Sequence, residues 1–397
     1  MPPPRSSLLD RAPIVGKLNT RLQGAWNSGW LKPIELEPDW LWRKAAKGFG
    51  LDDERGGRSD EDVADFRERL SVLCQSINAE ARLNPIGQSF AYGQLVRAIR
   101  QRLELGRMWR AGPAIPNTPL AKPIIIIGQM RSGTTRIHRL LAADPAHTAT
   151  RFCDSWHPVP TKPDLRPVWS GMALFWARRL NPWIDTIHPF GASQYDEELG
   201  WLASALDHSA YEAQWRIPSY TAFSEARSAA PVYREVARIL RTDANHHGNA
   251  GQPRVMKVPQ FAEDLEELLA QFPGASLVIC RRNDDDVLRS SVSMVANQMA
   301  MQSDSVDPDW IEGEWQRKLA LREARLSKAL SHHDGAIAEA SFDALGADWL
   351  GEIRRIYSAL QIELSDEAVR AMERQMQRSE SSPHLAHREQ LDKINAS

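Results

Sequence analysis

The chain has little cysteine, no long apolar run and no excess of either charge. Its three cysteines, Cys74, Cys153 and Cys280, are far apart and form no C-x-x-C pair. That excludes a disulfide framework, argues against a structural zinc and fits a reducing compartment. No stretch approaches the roughly 18 consecutive apolar residues of a membrane-spanning helix. The start, MPPPRSSLLDRAP, also lacks the basic end and apolar centre of a signal peptide. A soluble, cytoplasmic protein without an integral membrane segment is therefore expected. Lys plus Arg (49) nearly balance Asp plus Glu (51) over the 397 residues, so no global field recommends nucleic acid or an anionic surface as a partner. Any anion site must be local. There is neither an internal repeat nor a long low-complexity tract.

What is present divides the chain into three textures. Residues 1–120 are expected to be a helical segment, with Asp60-Glu61-Asp62 opening a helix and Phe66, Leu70, Leu73 and Ile77 on its apolar face. A second helix is expected over Tyr92 to Trp109. The stretch AGPAIPNTPLAK (111–122), broken by three prolines, is the best linker. Residues 121–377 form the expected α/β domain, and 378–397 a polar tail.

The stretch IIIIGQMRSGTT (124–135) has the spacing of a phosphate-binding loop, with Gly128, Gly133, Thr134 and Thr135 in place, but it lacks that loop's lysine. Four isoleucines fit a strand buried on both faces, and a helix is expected from Thr134 to about Ala143, before Pro145. Backbone N–H groups of Arg131 to Thr134 are then expected to face an anion at a helix N-terminus. Arg131 replaces the missing charge, and Ser132, Thr134 and Thr135 add hydroxyls. A nucleoside triphosphatase needs the absent lysine and a hydroxyl on magnesium. The bland reading of the turn is a tight strand-to-helix connection.

A second candidate anion site lies in SLVICRRNDDDVLRSSVSM (276–294). Leu277 to Cys280 read as a buried strand, Arg281 and Arg282 follow it, and Asp284 to Asp286 open a helix. Ser290 and Ser293 share a face of that helix. Arg282 with Ser290 would clamp one phosphate group.

Together these stretches resemble the sulfotransferases that use 3′-phosphoadenosine 5′-phosphosulfate (PAPS), particularly their bacterial group. GQMRSGTTRIHRLLAADP resembles the family's 5′-phosphosulfate loop, and Arg282 through Val287 to Ser290 and Ser293 resembles its 3′-phosphate motif. EARLNPIG (80–87), HPFGASQYDEE (188–198), RVMKVP (254–259) and ASFDALGADWLGEIRRIYSAL (340–360) are similar to the same group in the same order. The resemblance implies a three-layer, P-loop-like α/β fold with a central parallel sheet, preceded here by the helical segment. It also implies transfer of a sulfuryl group from PAPS, as co-substrate and without metal, to a small-molecule acceptor. Arg131, Ser132, Gly133, Thr134, Thr135, Arg282 and Ser290 are the implied donor contacts.

Departures are local. Met130 stands where the family often has proline, Asn283-Asp284 replace its usual Asp-Pro, and three carboxylates crowd the implied 3′-phosphate unless they face solvent. The K-G-x-x-G-x-x-K loop of the cytosolic animal enzymes is absent, so another basic residue is needed.

For catalysis, Arg131 and Lys257 are the expected charge stabilisers and Glu197 the expected general base, with Glu198, His157 and His188 as rivals. His138 reads as packing. The pairs His246-His247 and His332-His333 read as loop residues without a third metal ligand. Six of the fourteen tryptophans (Trp156, Trp169, Trp176, Trp183, Trp201, Trp215) fall between Ser155 and Phe223, which suits an apolar or aromatic hydroxyl or amine acceptor, small or lipid-like. Trp176 and Trp183, seven apart, read as core. The alternatives are a non-catalytic PAPS-fold nucleotide-binding protein and a P-loop kinase.

Overall fold

Successive side chains of a strand point to opposite faces, so a run of four isoleucines needs apolar cover on both. A computed structural model, which describes residues 3, 5 and 7–380, provides it. Ile124–Gly128 is β1, central in a five-stranded sheet of order β2-β3-β1-β4-β5. The others are β2 (Thr148–Ala149), β3 (Arg254–Lys257), β4 (Ser276–Arg281) and β5 (Ile337–Ser341). Every pairing is parallel; Ile125 lies opposite Met256 on one side and Leu277 on the other.

Ile125 and Ile127 join Met256, Leu277 and Ile279 in one core, whereas Ile124 and Ile126 join Val255, Val278 and Ala338 in the other. These are the three layers of a parallel α/β domain. The first core takes cover from the N-terminal helices α2 (Pro38–Ala45), α4 (Asp60–Glu80) and α5 (Pro85–Ala111), whereas α1 (Pro13–Asn27) packs Val15 into a smaller cluster with Ile86 and Leu180, and α3 (Leu51–Arg55) lies against α5. The apolar face expected on α4 is buried, with Phe66, Leu70, Leu73 and Ile77 each no more than 2% exposed. Ser59 caps that helix by accepting from the Asp62 N–H, and three acids follow in its first turn. α5 starts earlier than Tyr92, because Asn84 caps it and Pro85 fits the first helical position.

The proline-rich connection holds a short 3-10 turn, Ile115–Asn117, and Ile115 and Leu120 pack on the same core as the helices and the sheet. The expected boundary at residue 120 thus falls in a stretch with a shared core on both sides.

After β1 come α6 (Thr134–Leu141), α7 (Phe152–Trp156), α8 (Arg166–Leu180), α9 (Ile184–Ile187), α10 (Leu199–Ser204), α11 (Pro218–Glu225) and α12 (Ala230–His247). α6 stops at Leu141, short of the expected Ala143, because Ala143 and Asp144 turn back to bond Leu140 and Leu141. α13 (Leu265–Gln271) and α14 (Asp284–Gln302) flank β4; α15 (Pro308–Leu330) leads to β5, and α16 (Phe342–Ala347), α17 (Trp349–Leu360) and α18 (Asp366–Glu380) complete the second face. Most of the expected polar tail lies outside the described residues.

Two tryptophan and histidine expectations are corrected. Trp176 is 61% exposed, whereas Trp183 is buried, because α8 ends at Leu180 and the seven-residue spacing no longer runs along one helix. His247 closes α12 instead of lying in a loop, and it does have carboxylate neighbours: Nε2 lies 3.3 Å from Asp154 and 3.4 Å from Asp243. Arg151, Arg166 and Arg254 already engage those two carboxylates, so the cluster works as an ion-pair network tying α7, α8, α12 and β3 together.

The hydrogen bonds that His247 donates to Asp154 and Asp243 push its pKa up to about 9. A raised folded pKa contributes stability in full below the ordinary value near 6.5, and the contribution fades as pH rises through about 9. Wild type should therefore out-melt His247→Gln at pH 6, by on the order of 1–2 kcal/mol after solvent screening. The gap in melting temperature should close by about pH 10; a constant gap would contradict this role.

Candidate active site

The C-terminal ends of neighbouring parallel strands are where open α/β sheets place ligands, and β1 and β4 each deliver an arginine there. After Gly128 the chain turns through Arg131 (φ +68) and Gly133 (φ +91) into α6. Glycine is needed at both ends of the turn. A Cβ at Gly128 would stand 2.7 Å from the Cys280 carbonyl oxygen and 2.8 Å from Ser132 Oγ, and one at Gly133 would stand 2.9 Å from the Phe342 ring. Arg131 itself holds a left-handed backbone that costs a residue with a Cβ about 1–2 kcal/mol.

The two arginines meet. Arg131 Nε donates to Ser290 Oγ at 2.9 Å, and Arg282 Nη1 donates to the Arg131 carbonyl at 2.8 Å. Arg282 also lies over the Phe342 ring, 4.2 Å from its centre. Burial and the charge of Arg282 lower the Arg131 pKa to about 10. Nε of Arg282 is buried without a hydrogen-bond partner. Two crowded guanidiniums and an orphaned buried donor are what an anion would satisfy. The N–H groups of Gly133, Thr134 and Thr135 head α6 with no backbone acceptor among the described residues.

Asp284 and Asp285 face solvent, while Asp286 is partly covered and pairs with Arg289 at 2.6 Å, 3.7 Å from Arg282. Asn283 caps α14 by accepting from the N–H groups of Asp285 and Asp286. The helix thus begins properly without the proline, and two of its three acids are turned away from the arginines.

A cavity of about 1180 Å³ opens here. Arg131, Gly133, Thr134, Thr135, Arg282 and Ser290 line its polar end, and Glu197 and His188 its middle. Phe90, Phe152, Trp156, Leu174, Phe190 and Met301 give it an apolar portion, and Arg139, Asn181, Gln214 and Asn297 are among the polar side chains that interrupt it. Two expected site residues sit differently. Ser132 turns inward, donating from both Oγ (2.7 Å) and backbone N (3.1 Å) to the Gln129 carbonyl, so it shapes the loop and neither its hydroxyl nor its N–H faces the cavity. Lys257 is 1% exposed and stands in the wall behind Thr135 and Glu197. Its Nζ donates to Thr135 Oγ1 at 3.1 Å and to Glu197 Oε1 in a shorter contact.

The candidate bases separate by position. Glu198 is fully buried and accepts from the Lys257 N–H at 2.9 Å; burial pushes its pKa up to about 7, but it does not line the cavity. His157 packs edge-on against Trp169, and burial lowers its pKa to about 4. His138 is core, as expected: its Nε2 lies 3.3 Å from the Val255 carbonyl, and burial lowers its pKa to about 3. His188 does border the cavity, held by Asp196 at 3.1 Å, with Nδ1 4.0 Å from Glu197. His188, Asp196 and Glu197 are close enough to ligate a cation, but the Lys257 ammonium already lies against Glu197.

Of the six tryptophans, Trp156 alone lines the cavity. Trp201 and Trp215 are core, with indole N–H groups bonded to the Asp154 carbonyl and Gln302. Sequence reasoning missed Arg5, whose Nη1 reaches Ser293 Oγ at 3.4 Å and whose guanidinium lies 6.0 Å from the Trp183 ring. Nothing in a proline-rich start signals that contact. It also missed Phe90, since a residue 45 positions ahead of Thr135 carries no local mark of shared space.

A family model described as "Sulfotransferase family" matches residues 123–366. Among solved structures, the chain is similar to sulfotransferase STF1 from Mycobacterium tuberculosis H37Rv. That match has a TM-score of 0.75 and 26% identity over 90% of this chain and 98% of that one. Its fold is also similar to that of sulfotransferase STF9 from Mycobacterium avium, with a TM-score of 0.76 and 19% identity over 88% and 89% of the two chains. No curated protein matches the chain.

The loop geometry makes a stability prediction. Gly133→Ala must hold φ near +91 and move Phe342 off its contact, at a cost of about 1–3 kcal/mol. The urea midpoint should fall at unchanged m-value; an unchanged midpoint would show that the turn can relax.

Proposed function

The chain belongs to the sulfotransferase family, and we propose that it moves a sulfuryl group from PAPS to a hydroxyl or amine of a small, apolar or aromatic acceptor, without a metal. The meeting of Arg131 and Arg282 in the wall of a cavity that also carries a group of aromatic and aliphatic side chains, with Arg282 Nε buried and unpaired among the described residues, carries the reading. A phosphosulfate needs dense donors, and an apolar acceptor needs those aromatic and aliphatic side chains.

In this reading the N–H groups at the start of α6, the hydroxyls of Thr134 and Thr135 and the Arg131 guanidinium receive the 5′-phosphosulfate. Arg282 and Ser290 receive the 3′-phosphate. Transfer forms a bond from the acceptor oxygen or nitrogen to sulfur and breaks the bond from sulfur to the bridging 5′-phosphate oxygen. The acceptor's proton passes to Glu197, and adenosine 3′,5′-bisphosphate leaves as a stable anion. Little covalent work falls to the protein, so positioning and fixed charge supply most of the rate, as in phosphoryl transfer.

Lys257 has two tasks here. Its ammonium holds Glu197 Oε1, leaving Oε2 to take the proton, and through Thr135 Oγ1 it sets the hydroxyl that faces the donor. Glu197 is preferred over His188 because it shares that cation with the donor loop, whereas His188 is tied to Asp196.

The test is transfer of labelled sulfate from PAPS to a panel of apolar alcohols, phenols and amines in the presence of chelator. Glu197→Gln should lower kcat by roughly 10²- to 10⁴-fold and leave affinity for the bisphosphate product unchanged. Full activity of that variant would move the base elsewhere, and dependence on an added divalent ion would contradict the metal-free reading.

A further inference from the structure

A surface helix normally turns its apolar stripe inward and its polar residues outward, yet α8 carries large apolar residues on its outer side as well. Its inner side, through Leu174 and Ala177, lines the cavity. Its outer side exposes Val168 (57%), Met172 (55%), Phe175 (49%) and Trp176 (61%), flanked by Leu165 and Trp169. The spacing 165, 168, 169, 172, 175, 176 follows the helical repeat, so these side chains form one stripe. Among the described residues no other helix shows so many large apolar groups to solvent.

Charge around the stripe has one sign in excess. Residues 160–185 contain four cations (Lys162, Arg166, Arg178, Arg179) and two carboxylates (Asp164, Asp185). Asp164 is tied to Arg166 and Arg151, and Asp185 to Arg178. Arg179 bends over the Phe175 ring at 5.0 Å, its stem covering apolar surface while its head stays at the rim. Lys162 and Arg179 are exposed.

We propose that the outer face of α8 docks on an anionic lipid surface, and that an amphiphilic acceptor passes from that surface beneath the helix into the cavity. The second half rests on the sulfotransferase reading; the first does not. A convex stripe of large apolar residues rimmed by cations suits the headgroup boundary, where the apolar side enters roughly 5–10 Å and the cations meet lipid phosphates. A second copy of the chain fits less well. The stripe offers on the order of 600 Å², short of the roughly 800 Å² per partner of a standard interface, and copies meeting on it would bring their excess cations together. α8, at 15 residues, lies on such a surface and does not cross it.

The experiment is co-sedimentation of the full chain with phosphatidylglycerol-containing vesicles and with pure phosphatidylcholine vesicles. Titration with adenosine 3′,5′-bisphosphate and size-exclusion chromatography accompany it. Wild type should sediment with the anionic vesicles, less so at high salt. The double variant Met172→Asp, Trp176→Asp should bind them at least tenfold more weakly with bisphosphate affinity unchanged, and Arg179→Gln should weaken anionic binding alone. No sedimentation of wild type, or equal sedimentation of the double variant, would overturn the proposal. So would a wild-type dimer that the double variant dissociates, since a second copy would then own the face. Vesicle binding without bisphosphate binding would instead contradict the donor reading and leave the docking face standing.

Discussion

Two arginines brought together at the ends of adjacent strands, one guanidinium on the other residue's carbonyl, are the constraint around which this structure is arranged. Arg131 and Arg282 repel, and burial makes the repulsion expensive. Ser290, the Arg131 carbonyl and the Phe342 ring hold the two side chains in place, and Asp286 lies 3.7 Å from Arg282. A protein that only needed a tight turn there would have no use for such charge. The Nε of Arg282 is buried with no hydrogen-bond partner among the described residues.

The sheet makes that meeting possible. β1 and β4 pair in parallel from Ile124 opposite Ser276 to Gly128 opposite Cys280, so both strands end at the same edge and both following turns project the same way. Gly128 lets the Cys280 backbone come close. Phe342, just after β5, then reaches across to Arg282 and Gly133. One aromatic ring thus couples the fifth strand to Arg282 and to the loop after β1. The apolar part of the cavity comes from elsewhere: α5, α7, α8 and α14 supply it, apart from the arginines that follow the sheet strands.

Legibility in the sequence followed how local each feature is. The isoleucine strand, the glycine turn, α6 and β4 all rest on spacings of a few residues, whereas the partner of Ser290 proved to be Arg131 and not Arg282. They were readable because a strand period or a helix turn fixes which side chains share a face. The sequence could not show that Ser132 bends back to Gln129, since that depends on loop dihedrals. Nor could it show that Lys257 stands behind Glu197 and Thr135, since β3 and β1 are more than a hundred residues apart. Trp176 misled for a related reason. Seven-residue spacing marks a shared face only while the helix continues, and α8 stops before Trp183. The Asp284 to Asp286 cluster looked hostile to a phosphate until α14 turned two of its members outward.

The central claim is that this edge binds a doubly phosphorylated adenosine without a metal. Calorimetric titration of the purified protein with adenosine 3′,5′-bisphosphate in chelator, beside ATP with magnesium, tests it most directly. The account predicts saturable binding of the bisphosphate in chelator, weakened roughly thirtyfold on replacing either Arg131 or Arg282 by alanine, since each removes charge-assisted bonds worth on the order of 2 kcal/mol. Binding of magnesium-ATP alone, or bisphosphate affinity unchanged in both variants, would contradict it.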